Sequence, residues 1–397
     1  MKNRNMLSIA LVLAPLLGAA QAGNPFTIMG KVADYQRVVD NTIYLKFKQN
    51  GKETKDSVKL INGTYTFKGK VSYPVKAVIQ LKVADSVEKY HASTRTLKDY
   101  AHDFYIDKGQ LMAHAPEKLN STVIKGSKAD DDRQELKAKL DPYYAASNKI
   151  YKEEGSAAYK SKDSVAIANY TKKSYRIQDQ IDSVKKAYLF SHVQSGTVLD
   201  LLQEYTRTIL EPSEIQPFFN KIQPSIKASA EGQAYSKRIE QSKVTALGAA
   251  APDFILKDKN GKEISLSSMK GKLILLDFWG SWCGPCRDTH PHLKKLYAAY
   301  KSKGFEIFGV SNELSNNQEE NYNKWVKAMD EDKMEWVNVL NDKSKGDKAN
   351  GVLSKYSVTA FPTKILIDKD GRIIRRLVGS GVKSQEELVK LLQDKLH

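Results

Sequence analysis

The chain has 397 residues, of which 41% are hydrophobic and 27% charged, and its formal net charge is +17. This length exceeds what one hydrophobic core serves, so we expect two or three domains, and the composition excludes an intrinsically disordered protein. The positive charge indicates a lysine-rich solvated surface. A nucleic acid partner is not expected, because the N-terminus predicts export.

Residues 1–22 are predicted to be a signal peptide. Lys2 and Arg4 make the start positive, residues 7–17 form an apolar run, and an Ala-Gln-Ala pattern ends at Ala22. The run is too short for a comfortable membrane span. We expect cleavage after Ala22 and a product in the bacterial periplasm with no integral membrane segment. A short N-terminal anchor helix is the alternative.

Residues 23–127 are predicted to form an antiparallel β domain, either a sandwich or a small barrel. Short runs alternate apolar and polar residues, and Asn-Gly pairs at 50–51 and 62–63 indicate tight turns between them. The runs lie at residues 26–29, 42–45, 64–67, 78–81 and 104–106.

Residues 128–245 are predicted to be a helical spacer domain. Ile177, Ile181, Val184 and Tyr188 recur at the spacing of one helical face.

Residues 246–397 alternate strands and helices, which predicts a layered α/β fold. The apolar run 273–278 is typical of a buried strand, and a helix is predicted from about Cys283 to Lys301. A capping box from Ser384 to Glu387 is predicted to open the last helix. The remaining predicted elements are a strand at 305–310, a helix around Trp325, and a hairpin that turns at 370–371.

The two cysteines of the chain, Cys283 and Cys286, enclose Gly284 and Pro285. A thiolate at a helix N-terminus is stabilised by unpaired N–H groups, so Cys283 is expected to be exposed and partly ionised. The second sulfur lies one turn on, within reach of the first. Zinc needs about four ligands, and haem attachment needs a histidine where Arg287 stands. Redox chemistry is therefore favoured over a metal site or an inert structural disulfide.

The segment 278–286, Phe-Trp-Gly-Ser-Trp-Cys-Gly-Pro-Cys, resembles the active-site segment of thioredoxins. It is especially similar to that of the TlpA/ResA family of periplasmic thioredoxin-like proteins. The flanks at 248–254 and 266–272 resemble the lead-in of that family, and 361–363 resembles its cis-proline loop. This resemblance covers 246–397 and implies a thioredoxin-like fold. The β-rich residues resemble, more weakly, an uncharacterised domain that often precedes such folds.

The resemblance implies a role for each matching residue. Cys283 would be the attacking thiolate and Cys286 the buried resolving thiol. Pro362 would be cis and lie against the disulfide, with the backbone around it pairing with the client protein. Asp277 would accept the proton of Cys286, although a strand residue paired to a lysine is the alternative. The residues expected to contact the client are Trp282, Gly284, Pro285, Phe361 and Thr363.

Two residues depart from the pattern of the ResA-like proteins. Thr289 stands where they often carry glutamate, and Asp277 stands where they often carry asparagine. The acid/base group would thus have moved from the helix to the strand. Pro291 is expected to kink the active-site helix, whereas His290 and His292 are expected at surface positions.

The sequence predicts a thiol–disulfide oxidoreductase that acts as a reductase on exported proteins. The Gly-Pro pair is that of reducing thioredoxins, and no histidine lies inside the motif. Without a flavin or nucleotide fingerprint no cofactor is expected, so electrons would come from a membrane donor of the DsbD type. The alternatives are an envelope protein that binds polypeptide or glycan, with a subordinate redox domain, and a peroxidase. The identity of the clients, isomerase activity in the cell, the oligomeric state and the roles of the first two domains stay open.

Overall fold

A computed structural model describes residues 23–33, 41–82, 99–341 and 351–396. The predicted signal peptide lies outside these residues. The chain forms two compact units: the first comprises the described residues of Met1–Gln49 and Glu53–Ser127, and the second those of Asn50–Lys52 and Lys128–His397. The further division at residue 245 stays a prediction.

The first unit is built of two four-stranded sheets, with strand orders β4-β1-β7-β8 and β3-β2-β5-β6. Strand β1 pairs antiparallel with β4 and parallel with β7. The rings of Phe26 and Phe47 meet with their centroids 6.1 Å apart and join the two sheets. The strands are β1 (Asn24–Val32), β2 (Thr42–Gln49), β3 (Lys52–Lys59), β4 (Thr64–Val71), β5 (Val75–Leu81), β6 (Ala101–Ile106), β7 (Gly109–Ala115) and β8 (Val123–Lys125).

Both predicted Asn-Gly turns are confirmed. Asn50 and Gly51 have φ angles of 51° and 75°, and Asn62 and Gly63 have 52° and 75°. Two consecutive positive φ angles are what a two-residue type I′ hairpin turn requires, and Asn-Gly tolerates them best.

The second unit begins with helices. The helix α3 packs against α1 through Ile181 and Tyr188 on one side and Leu136 and Leu140 on the other, which confirms the predicted helical face. The helices up to residue 245 are α1 (Lys128–Ile150), α2 (Ser156–Ser161), α3 (Ser164–Ser191), α4 (Val198–Tyr205), α5 (Pro212–Asn220), α6 (Pro224–Lys227) and α7 (Ala230–Ser242). None of the described helices combines the length and apolarity that crossing a membrane would need.

A seven-stranded sheet forms the centre of the rest, in the order β10-β9-β13-β12-β11-β14-β15. All seven residues of β11 are buried, and β11 runs parallel to β12 and antiparallel to β14. The strands are β9 (Ile255–Lys257), β10 (Glu263–Ser265), β11 (Leu273–Trp279), β12 (Phe305–Ser311), β13 (Val337–Leu340), β14 (Thr363–Ile367) and β15 (Ile373–Val378). The helices are α8 (Gly284–Arg287), α9 (His290–Tyr300), α10 (Gln318–Glu331), α11 (Val352–Lys355) and α12 (Val382–Lys395). This α/β arrangement is the predicted fold class.

Two helix boundaries differ from the sequence prediction. The helix expected over 283–301 is divided into α8 and α9, and Pro291 in the first turn of α9 has no N–H to continue the hydrogen bonds from α8. The predicted capping box is wrong: α12 begins at Val382 with Gly381 as its N-cap. The Ser384 hydroxyl instead lies 3.5 Å from the carbonyl of Val378.

Candidate active site

A disulfide joins Cys283 and Cys286 just after the end of β11, with their Cα atoms 5.3 Å apart. Cys283 is the N-cap of α8, and its sulfur accepts a hydrogen bond from the N–H of Cys286 at 3.2 Å. When the pair is reduced, this N–H is positioned to stabilise negative charge on Cys283. Among the described residues, no such donor reaches the sulfur of Cys286. This hydrogen bond therefore distinguishes the sulfur of Cys283 from that of Cys286.

Cys283 was expected to be exposed, and this prediction is wrong for the disulfide form. Cys283 is 4% exposed there and Cys286 is 1% exposed. Both sulfurs belong to an apolar cluster with the buried Trp279 and Trp325, and Phe361 packs against it. Contact with a partner therefore has to come through the residues around the disulfide.

The residues expected to contact the client differ in their exposure to solvent. Trp282 is 44% exposed, Gly284 and Pro285 are exposed, and Phe361 is half-buried. The ring of Trp282 meets that of Phe361 edge-on at 5.5 Å. By contrast, Thr363 is 1% exposed and its hydroxyl donates to the carbonyl of Ala360. The Thr363 side chain is thus not available at the surface.

The loop before β14 has the conformation expected from the sequence, because the Phe361–Pro362 peptide bond is cis. The carbonyl of Pro362 accepts a hydrogen bond from the N–H of Gly379 at 2.9 Å. The loop is thereby tied to the residues that follow β15.

Asp277 is paired to a lysine, as the alternative interpretation held. It is 1% exposed on β11 and lies opposite Lys364 on β14. The Lys364 Nζ is 3.3 Å from the Asp277 Oδ1, and Lys364 is 6% exposed. Among the described residues, neither Asp277 oxygen nor this nitrogen has a well-formed hydrogen bond. The pair is thus a buried ion pair whose atoms have unused hydrogen-bonding capacity.

The expected surface position of His290 is wrong. The residue is 1% exposed, its Nδ1 lies 2.7 Å from a carboxylate oxygen of Asp332, and its ring meets Trp279 edge-on at 5.1 Å. Burial opposes ionisation of Asp332, but hydrogen bonds from Arg287 and His290 outweigh it and lower the pKa of the carboxyl. This network joins the active-site helices to the end of α10.

His292 is half-buried, and its buried Nε2 has no hydrogen-bond partner within the part of the chain that the structure describes. Burial lowers its pKa, and the charges of Lys295 and Lys364 add to this effect. Both effects favour the neutral form of the imidazole.

A second buried carboxylate holds the loop before Cys283. Glu313 is 2% exposed and accepts hydrogen bonds from the N–H and hydroxyl of Ser281, at 2.9 and 2.5 Å. Beside it, the indole N–H of Trp282 donates to the carbonyl of Asn312 at 2.8 Å. Sequence analysis missed Glu313, Lys364 and Asp332 because each meets the site only in the folded chain.

No cluster of three or more histidine, cysteine or acidic side chains with the geometry of a metal site occurs among the described residues. The two sulfurs are bonded to each other in the structure.

Two family models match the chain. Residues 247–376 match the AhpC/TSA family, and residues 26–132 match a domain of unknown function, DUF4369. Among curated proteins, a thiol-disulfide oxidoreductase ResA of Bacillus cereus is 36% identical over 141 residues, which are 36% of this chain and 75% of that protein. ResA of Bacillus subtilis (strain 168) is 35% identical over 137 residues, which are 34% of this chain and 70% of that protein.

Solved structures also align with part of the chain. The thioredoxin domain of a thiol-disulfide oxidoreductase from Bacteroides vulgatus is 37% identical, and the match covers 37% of this chain and 97% of that chain with a TM-score of 0.32. A thiol:disulfide interchange protein from Bacteroides sp. is 38% identical. The match covers 37% of this chain and 91% of that chain, with a TM-score of 0.32.

Proposed function

Because the chain belongs to the ResA/TlpA-like thiol-disulfide oxidoreductases of the thioredoxin superfamily, we propose that it reduces disulfide bonds of exported proteins through Cys283 and Cys286. The observation that carries this proposal is the N–H of Cys286, 3.2 Å from the sulfur of Cys283. A fixed donor at this distance favours the thiolate, which is the form that attacks a disulfide.

The reaction follows from two sulfur exchanges. The thiolate of Cys283 attacks one sulfur of the client disulfide, forms a mixed disulfide, and releases the other client sulfur as a thiolate. Cys286 then loses its proton and attacks the sulfur of Cys283, which releases the second client thiolate and forms the Cys283–Cys286 disulfide. The client gains two electrons and the protein loses two. Asp277 is the proposed acceptor of the Cys286 proton.

The direction of electron flow is proposed from the motif. Gly284 and Pro285 are the pair of strongly reducing thioredoxins, and strong oxidants need a more stabilised thiolate. A reductase in an oxidising compartment must be reduced again, so we assign this task to a membrane donor of the DsbD type. Export requires the signal peptide proposed for residues 1–22. N-terminal sequencing of the secreted product should start at Gly23, whereas a start at Met1 would contradict export by cleavage.

Reduction of insulin tests the direction. We expect the full chain with dithiothreitol to accelerate insulin precipitation, and the Cys283→Ser variant to give only the rate of dithiothreitol alone. The reduction potential, measured by equilibration with glutathione, should lie near the value of about −270 mV typical of thioredoxin. A value near about −120 mV, as in DsbA, would instead identify an oxidant.

A further inference from the structure

The proposed function leaves the helices between residues 128 and 245 without a role, yet two of their residues contact the loops beside the disulfide. The hydroxyl of Tyr175 on α3 lies 3.1 Å from that of Ser380. Ser380 directly follows Gly379, whose N–H holds the carbonyl of Pro362 at 2.9 Å. The helix thus approaches the cis-proline loop from the side of β15.

The second contact lies on the other flank of the same loop. The hydroxyl of Thr359, two residues before Phe361, donates to the carbonyl of Arg207 at 3.3 Å. Both Thr359 and Arg207 are exposed. The chain that follows α4 therefore lies next to the residues along which a client would bind.

A further hydrogen bond joins the helical residues to the sheet within the second unit. Arg376 on β15 donates to the hydroxyl of Thr245 and to the carbonyl of Tyr356, at 3.3 and 2.8 Å. Burial lowers the pKa of its guanidinium to about 10, although the charge of Glu211 acts in the opposite direction. The half-buried Arg376 thus joins the end of the helical residues, at Thr245, to β15 and to the chain at Tyr356.

We propose that Tyr175 and the chain at Arg207 form a second wall of the client site, which binds the extended polypeptide on either side of the client disulfide. This inference rests on the proposed function. An extended chain advances about 3.3 Å per residue, so a few residues carry it from Phe361 past Thr359 to Arg207. Tyr175 is 37% exposed and Trp282 44%. These half-exposed rings suit a client segment with apolar residues near its cysteine.

The test compares two substrates on the full-length protein: a twelve-residue peptide with an internal disulfide and a small aromatic disulfide, dithiobis(nitrobenzoic acid). For Tyr175→Ala we expect kcat/KM to fall about fivefold on the peptide, equivalent to ~1 kcal/mol for one aromatic contact. The rate on the small disulfide should change less than twofold. Tyr159→Ala is the matched control, since Tyr159 on α2 is 53% exposed and packs on Tyr170.

Tyr175→Phe separates client contact from bracing of the loop, because it removes the hydroxyl near Ser380 and keeps the ring. We expect this variant to reduce the peptide within twofold of the parent. An equal loss on both substrates, a loss with Tyr175→Phe as large as with Tyr175→Ala, or an unchanged peptide rate with Tyr175→Ala would each overturn the inference. A parent protein that reduces neither substrate would instead refute the proposed function.

Discussion

A Cys286→Ser variant is expected to accumulate covalent complexes with its clients. Cys283 keeps its place at the start of α8 and still attacks, but no second sulfur remains to displace the client. The parent resolves the complex by an intramolecular attack, and well-oriented reactions of this kind have effective molarities of about 10⁵ M or more. We therefore expect turnover to fall by at least roughly 1000-fold. The complexes are measured by non-reducing electrophoresis and identified by mass spectrometry.

Cys283→Ser supplies the matched control for this experiment. This variant keeps Cys286 in the apolar cluster. Because Cys286 is 1% exposed, we expect it to form no covalent complexes with clients. Trapping by Cys283→Ser, or release of clients by Cys286→Ser as fast as by the parent, would reverse the proposed order of attack.

Asp277→Asn is expected to slow resolution of the mixed disulfide by about 100-fold, the lower range for loss of a general base. The amide keeps the shape of the side chain but cannot take up the proton of Cys286. It also leaves Lys364, which is 6% exposed, without its counter-ion, and removing one partner of a buried ion pair costs about 3–5 kcal/mol. Stopped-flow release of a fluorescent peptide from the preformed mixed disulfide measures the rate, and urea unfolding measures the stability.

Glu306→Gln controls for the general effect of losing a buried carboxylate. Glu306 lies on the neighbouring strand β12, is 6% exposed, and bonds Lys272 and Tyr297 at 2.9 and 2.8 Å. We expect this variant to lose stability and to resolve the mixed disulfide at the parental rate. If it slows resolution as much as Asp277→Asn does, Asp277 is only structural.

The parts of the site that could be predicted are local in sequence. The Cys-Gly-Pro-Cys motif and the dipeptide before β14 each carry their signal in a few adjacent residues. Lys364 and Asp332 instead reach the site from 87 positions after Asp277 and 42 after His290. No pattern in one chain indicates such partners, so the buried position of His290 could not be foreseen.

Strand β3 was not predicted, for a different reason. The residues of β3, Lys-Glu-Thr-Lys-Asp-Ser-Val-Lys, are largely exposed and do not alternate apolar and polar side chains. Charged side chains on a sheet edge, where β3 lies, discourage pairing with other molecules and at the same time remove the pattern that identifies a strand. The two Asn-Gly turns were predictable because their backbone conformation is tied to those two residues.

The pairing of Asp277 with Lys364 limits how this pair of positions can evolve. Losing either charge alone leaves the other buried without a counter-ion, which destabilises the fold. Replacing both residues with apolar ones of similar volume often leaves the stability unchanged or increases it. Descendants of this chain should therefore keep or exchange the two residues together. If Asp277 has the proposed role, a lineage that loses the pair also needs another group to deprotonate Cys286.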